Sequence, residues 1–169
     1  TTTRSRKHPF RLLVALDSNL NASGEIFVDD GEAQDSVGQG KYVLAWFKVM
    51  CNSIADITGF VCSIQSNVTH RGYYGIPNDT IVSVDIYGFG NKYFIPGVDL
   101  TQTEMTIEAI GDNETLADFQ FDPYNGVLHI SFLAASSALS ITNDFYYAWT
   151  MEIPGSGFPV KHSHQSDTG

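Results

Sequence analysis

Apolar residues recur at every second position along most of this chain, the period of β-strands that turn one face to a core. Phe10, Leu12, Val14 and Leu16 alternate with Arg11, Leu13, Ala15 and Asp17, which predicts a half-buried strand. The run Gly24-Glu25-Ile26-Phe27-Val28 that follows reads as a second strand, and each of the two ends at an acidic turn. Val43, Ala45, Phe47, Val49 and Cys51 form one face of a longer strand whose other face carries Tyr42, Leu44, Trp46, Lys48 and Met50. With both faces largely apolar, that strand is expected to be central and covered twice. Val82, Val84 and Ile86 oppose Ser83, Asp85 and Tyr87, and Gly88-Phe89-Gly90-Asn91 ends the run.

Further strands follow from the same alternation. Met105, Ile107 and Ala109 form one, Ala117, Phe119 and Phe121 the next, with a turn at Gly111-Asp112-Asn113 between them. Asp122-Pro123-Tyr124-Asn125-Gly126 is the clearest hairpin signal, since Asn-Gly tolerates the positive φ that a tight turn between twisted strands demands. It leads into Leu128, Ile130 and Phe132, with His129 and Ser131 on the opposite side. Phe145, Tyr147, Trp149, Met151 and Ile153 complete the pattern. No window shows an amphipathic helix, so the chain is expected to be all-β, and short strands punctuated by turn residues predict an antiparallel β-sandwich. Residues 1–9 read as a linker, 10–153 as the sandwich and 154–169, rich in Gly, Ser, Pro and His, as a flexible tail.

Size and charge narrow the partners. The 169 residues suit one domain. Nine basic against 19 acidic side chains give a formal charge of -10, which argues against nucleic acid or an anionic membrane as partner. No run approaches the roughly 20 apolar residues of a membrane span. Four Asn-x-Ser/Thr sequons, at Asn21, Asn67, Asn78 and Asn113, are candidate glycosylation sites in predicted turns or strand ends and point to the secretory pathway. Cys51 and Cys62 lie near the ends of adjacent strand-like runs, where a hairpin would set them opposite each other. A disulfide and two buried free thiols both fit, and the sequons favour the disulfide.

The segment from Pro9 to Asp17, followed by Gly24-Glu25-Ile26-Phe27-Val28-Asp29-Asp30-Gly31-Glu32, resembles the opening of the distal carboxy-terminal β-sandwich of glycoside hydrolase family 31, the α-glucosidase and α-xylosidase family, and most of all its plant-type members. Thr2-Thr3-Arg4-Ser5-Arg6-Lys7 matches the link from the upstream region, and Gly38-Gln39-Gly40-Lys41-Tyr42 the glycine-rich approach to the next strand. The likeness is close over roughly the first thirty-five residues and past Tyr42 rests on the succession of strands. It implies a sandwich that serves as a structural part, either a processed subunit or a fragment, of an enzyme performing retaining hydrolysis of α-linked glucose or xylose. Its partner would be the catalytic barrel, on a separate chain or an upstream region, and its location extracellular, in the cell wall or in a vacuole. Within such an enzyme, the apolar face around Trp46 could be a docking surface.

Catalytic residues are not expected here. The family's nucleophile lies in a Trp-x-Asp-Met-Asn-Glu type motif on the barrel, and the nearest string, Trp149-Thr150-Met151-Glu152, lacks the aspartate. Asp29-Asp30-Gly31-Glu32 reads either as a calcium loop or as a turn whose carboxylates bond nearby amides. His8, His70, His129, His162 and His164 do not adopt a zinc-binding spacing, and His129 reads as a surface or a hydrogen-bonded residue. Neither a metal nor a cofactor is expected. Tyr73 and Tyr74, flanked by Gly72 and Gly75, are candidates for stacking on a carbohydrate, or else pack with their rings buried. The alternative function is accordingly a free-standing carbohydrate-binding or protein-interaction module.

Overall fold

The computed structural model describes residues 8–53, 59–89, 105–110, 117–133 and 139–152, and holds two packed β-sheets. Ten strands follow in chain order: β1 (Phe10–Ala15), β2 (Asn21–Asp29), β3 (Tyr42–Ser53), β4 (Gly59–Arg71), β5 (Thr80–Tyr87), β6 (Thr106–Ala109), β7 (Ala117–Asp122), β8 (Val127–Phe132), β9 (Leu139–Ser140) and β10 (Phe145–Glu152). The first sheet runs β1-β5-β8-β7, with β9 also on β5, and the second runs β2-β3-β4-β10-β6. The all-β sandwich expected from the alternation is the observed fold. Its pairings are antiparallel except for β1 beside β5, which is parallel. A parallel pair needs a long crossover, and β2, β3 and β4 supply it by forming a meander in the opposite sheet. The expected tail, the turn at Gly111-Asp112-Asn113, Ile153 and most of the linker lie outside the described residues.

Side chains alternate as the period-2 pattern requires. Along β1, Phe10, Leu12 and Val14 are half-buried while Arg11, Leu13 and Ala15 are exposed. Between the sheets, Val49, Ile64, Trp149 and Met151 meet Ile81, Val84, Ile86, Leu128 and Ile130, all nearly or wholly out of water. At roughly 1.5–3 kcal/mol for each large apolar side chain buried, this layer is the main favourable contribution to the fold. Val43, Ala45 and Val68 form a smaller cluster with Tyr73 and Ile76 packed against it.

Phe89 departs from the expectation of a plain strand end. Gly88 has φ 117°, a conformation open to glycine and costly for other residues, and the turn delivers the Phe89 ring into the core with no exposure. Its amide donates to Gly126 O at 3.1 Å and its ring meets Phe121 edge-on. The predicted hairpin joins β7 to β8. Asp122 Oδ1 accepts from the amides of Tyr124 and Asn125 at 3.0 and 3.1 Å, and Gly126 alone takes positive φ, 62°. The acidic segment after β2 is likewise a turn: Asp29 Oδ1 accepts from Gly31 N, and Asp30 Oδ1 from the amides of Glu32 and Ala33.

Candidate interaction surface

Aspartates in a glycosidase site are held near a sugar, and the acid of the pair has its pKa raised. Several aspartates among the described residues are engaged in local hydrogen bonds. Asp79 Oδ2 accepts from Ser140 Oγ at 2.7 Å and from Thr142 Oγ1 at 2.5 Å, while Asp79 O accepts from Ile141 N. The trio fastens β9 and its following turn to the entry of β5. The Thr142 bond, seconded by Ser140, holds the Asp79 carboxyl below its usual pKa. Asp122 is held low by the Asn125 side chain, and Asp144 by the amide of Val68, with Arg71 adding to it. His129 Nδ1 bonds Asp85 Oδ1 at 2.8 Å across β5 and β8, so of its two expected roles it takes the hydrogen-bonded one. Among the described residues no cluster of three His, Cys, Asp or Glu has the geometry to hold a metal.

The three depressed carboxyls set an acid limit. A group whose pKa is lower in the folded than in the unfolded state stabilises above its unfolded value, near pH 4, and that contribution is lost as pH falls through the folded value. Unfolding midpoints should therefore hold steady above about pH 5 and fall below about pH 4. Asp79→Asn should lower the plateau and make the fall shallower, because one fewer proton is taken up on unfolding; an unchanged slope would remove Asp79 from the account.

Tyr73 and Tyr74 separate. Tyr73 packs on the small Val43, Ala45 and Val68 cluster and its hydroxyl donates to Gly75 O at 3.1 Å. Tyr74 stands out at 91% exposure. The chain reaches them through Gly72, whose amide donates to Tyr42 O. A Cβ there would lie 1.6 Å from Gly40 O, so two backbones touch where no side chain fits. The pair does not form a two-ring platform.

Larger apolar exposure lies on the outer face of the second sheet. The inner face of β3 is buried as expected, but no second layer covers its outer face among the described residues: Trp46 is 47% exposed and Lys48 also faces water. Among the described residues the sheet has one partner sheet, and it lies on the other side. Register places Trp46 between Glu25 of β2 and Asn67 of β4, and the next row joins Ser23, Lys48, Gln65 and Tyr146, the last 61% exposed. At one end Phe27, Tyr42 and His70 stack in series, with centroids 5.0 and 3.8 Å apart. Lys48 in the middle of the outer set was the sequence signal of an open face.

A different opening lies at the sandwich edge. β1 ends the first sheet and β2 ends the second, and neither has a strand on its far side among the described residues. Between them runs an apolar groove of about 400 Å³ lined by Leu12, Val14, Ala22, Ile26, Phe47 and Val49, with Leu13 beside it, 73% exposed. Free edges with apolar side chains are templates for association.

Cys51 and Cys62 are joined in a disulfide, directly opposed on β3 and β4. The sequons differ in setting. Asn21 opens β2, with Nδ2 donating to Asn19 O. Asn78 lies before β5, with Oδ1 accepting from the amide and hydroxyl of Thr80. Asn67 is exposed within β4 and not at a strand end, and Asn113 is outside the described residues.

No family model matches the chain. It is 32% identical to human intestinal sucrase-isomaltase over 152 residues, which is 88% of the chain and 7% of that protein. It is 58% identical to glucoamylase 1 of Candida albicans over 85 residues, 50% of the chain and 8% of that protein. Rat lysosomal alpha-glucosidase is 46% identical over 56 residues, 33% of the chain and 6% of its own length. The chain thus spans less than a tenth of the length of these relatives.

Proposed function

We propose, from the chain's sequence kinship with glycoside hydrolase family 31 enzymes over part of its length, that it is the non-catalytic carboxy-terminal β-sandwich of an α-glucosidase-like hydrolase. In this reading it buttresses a catalytic barrel, carried upstream or on a separate chain, that cleaves α-glucosidic bonds. The observation that carries the reading is the open edge, where among the described residues β1 and β2 leave an apolar groove uncovered and Leu13 bare. A lone domain gains nothing by exposing an edge of this kind, whereas the flank of a larger body would fill it. Asp79, Asp122 and Asp144 support the non-catalytic part, since each holds a turn or a strand and its shift runs downward, opposite to what a general acid needs. The disulfide fits an oxidising compartment, in accord with a secreted, cell-wall or vacuolar enzyme.

Leu13→Asp tests the groove. Because the side chain is exposed, the unfolding free energy of the isolated chain should stay within about 0.5 kcal/mol of wild type. In the whole enzyme the buried carboxylate should shorten the thermal half-life of activity on a chromogenic α-glucoside. An unchanged half-life, or hydrolysis by the 169-residue chain alone, would overturn the reading. The exposed Trp46 and Tyr74 favour a second reading, a carbohydrate-binding module. Saturable binding of maltose or starch fragments, abolished by Trp46→Ala or Tyr74→Ala, would replace the buttress with that module.

A further inference from the structure

The sequon Asn67-Val68-Thr69 lies in the middle of a sheet, and its neighbour there is Trp46. The two residues are directly opposed across β3 and β4, a placement that brings side chains of one face within about 5 Å at Cβ. Both are exposed. Gln65 and Tyr146, opposed in the next row, continue the same surface. Asn21 and Asn78 have side-chain amides engaged in the turns that hold them.

We infer that Asn67 carries an N-linked glycan whose first sugar lies over the Trp46 indole, so that the exposed aromatic face is covered by the protein's own carbohydrate. The inference rests on the secretory reading above. Its chemistry is simple. An N-acetylglucosamine ring presents axial C–H groups on one face, and these settle on an aromatic π-face, while the hydroxyls remain in water. A protein partner seated on the same face would have to displace a branched, solvated sugar chain from its centre. The glycan therefore turns this face to solvent and leaves the β1 and β2 edge as the side that meets the rest of the enzyme. Aromatic exposure here is a landing place for an attached sugar and not for a neighbouring domain.

Two tryptophans make the test readable: Trp149 is fully buried beside the disulfide and Trp46 is half exposed, so an aqueous quencher reports on Trp46. The full 169-residue chain, made through a eukaryotic secretory route, is mapped for occupied sequons by glycan release in heavy-oxygen water. Acrylamide quenching of tryptophan fluorescence is then compared for the intact protein, for protein trimmed by an endoglycosidase to one sugar, and for protein stripped by an amidase. Asn67 should be occupied. Quenching should stay low in the first two states and rise in the third, as it should in Thr69→Ala, which lacks the acceptor sequence. Stripping folded wild-type protein gives the comparison even if the variant folds poorly. An empty Asn67 beside an occupied Asn21 or Asn78 overturns the inference and leaves secretion standing. No occupied sequon overturns both. Equal quenching in all three states overturns the stacking.

Discussion

Trp149→Ala should cost about 3–5 kcal/mol of unfolding free energy, the range found when a large aromatic side chain is deleted from a packed core. A domain of this size has roughly 5–15 kcal/mol in total, so the variant should unfold on the order of 10 °C lower or fail to accumulate. The side chain has no exposure and holds the centre of the sandwich. It stands opposite Cys62 on one side and Ala109 on the other, with Phe119 and Tyr147 within 6.4 Å between ring centroids. Those small neighbours leave the room that the indole fills, and they cannot close a cavity after its loss. Trp149→Phe should cost much less than alanine. Phenylalanine keeps most of the packing, and the change removes an indole N–H that has no acceptor among the described residues, a group whose desolvation costs about 1–3 kcal/mol. Urea unfolding of the three proteins orders them. If alanine came within about 1 kcal/mol of wild type, Trp149 would not be the centre of the core.

The strands were legible because the two sheets each turn one face to the other and the sequence records that in a period of two. β1 shows the alternation without interruption, β7 keeps it up to Phe121, and β8 and β10 turn their expected residues inward from Leu128 to Phe132 and from Phe145 to Met151 but bury Val127 and Ala148 as well. The alternation does not say what lies on the other side of a sheet. Trp46, Leu44 and Met50 made the outer face of β3 look covered, although only register, with Glu25, Asn67 and Lys48 in neighbouring places, reveals it as open. Phe89 escaped for a related reason. Glycines on either side are a turn signal, and the same backbone freedom that permits a turn also lets a side chain plug the end of the core. The parallel pairing of β1 with β5 depends on a partner far along the chain and leaves no local trace. Tyr73 and Tyr74 illustrate the limit at the surface: adjacent residues in an irregular segment took opposite fates, decided by whether Val43, Ala45 and Val68 lay beneath.

Replacing both half-cystines, Cys51→Ala with Cys62→Ala, should remove about 3 kcal/mol, because in the chain-entropy model a loop of about a dozen residues is no longer closed in the unfolded state. The pairing favours the bridge. Cys51 N donates to Leu20 O on the β2 side, so toward β4 the two residues form a non-hydrogen-bonded pair, the closer of the two antiparallel arrangements, with Cα atoms 4.1 Å apart. Since the constraint acts on the unfolded chain, its loss should appear mainly as slower refolding if the β3 and β4 hairpin is formed in the transition state, with the unfolding rate little changed. A faster unfolding limb with unchanged refolding would place the hairpin late instead. Trp149 supplies a native-state control. It directly opposes Cys62, disulfides quench indole emission on contact, and the double alanine variant should be the brighter protein when folded. The same adjacency predicts that the Trp149→Ala and cysteine replacements are not additive: side chains in contact share a cavity, and their effects couple by about 0.5–3 kcal/mol. A strictly additive triple variant would mean that Trp149 and the bridge do not share one packing unit, and that the centre of this sandwich is held by two independent contacts.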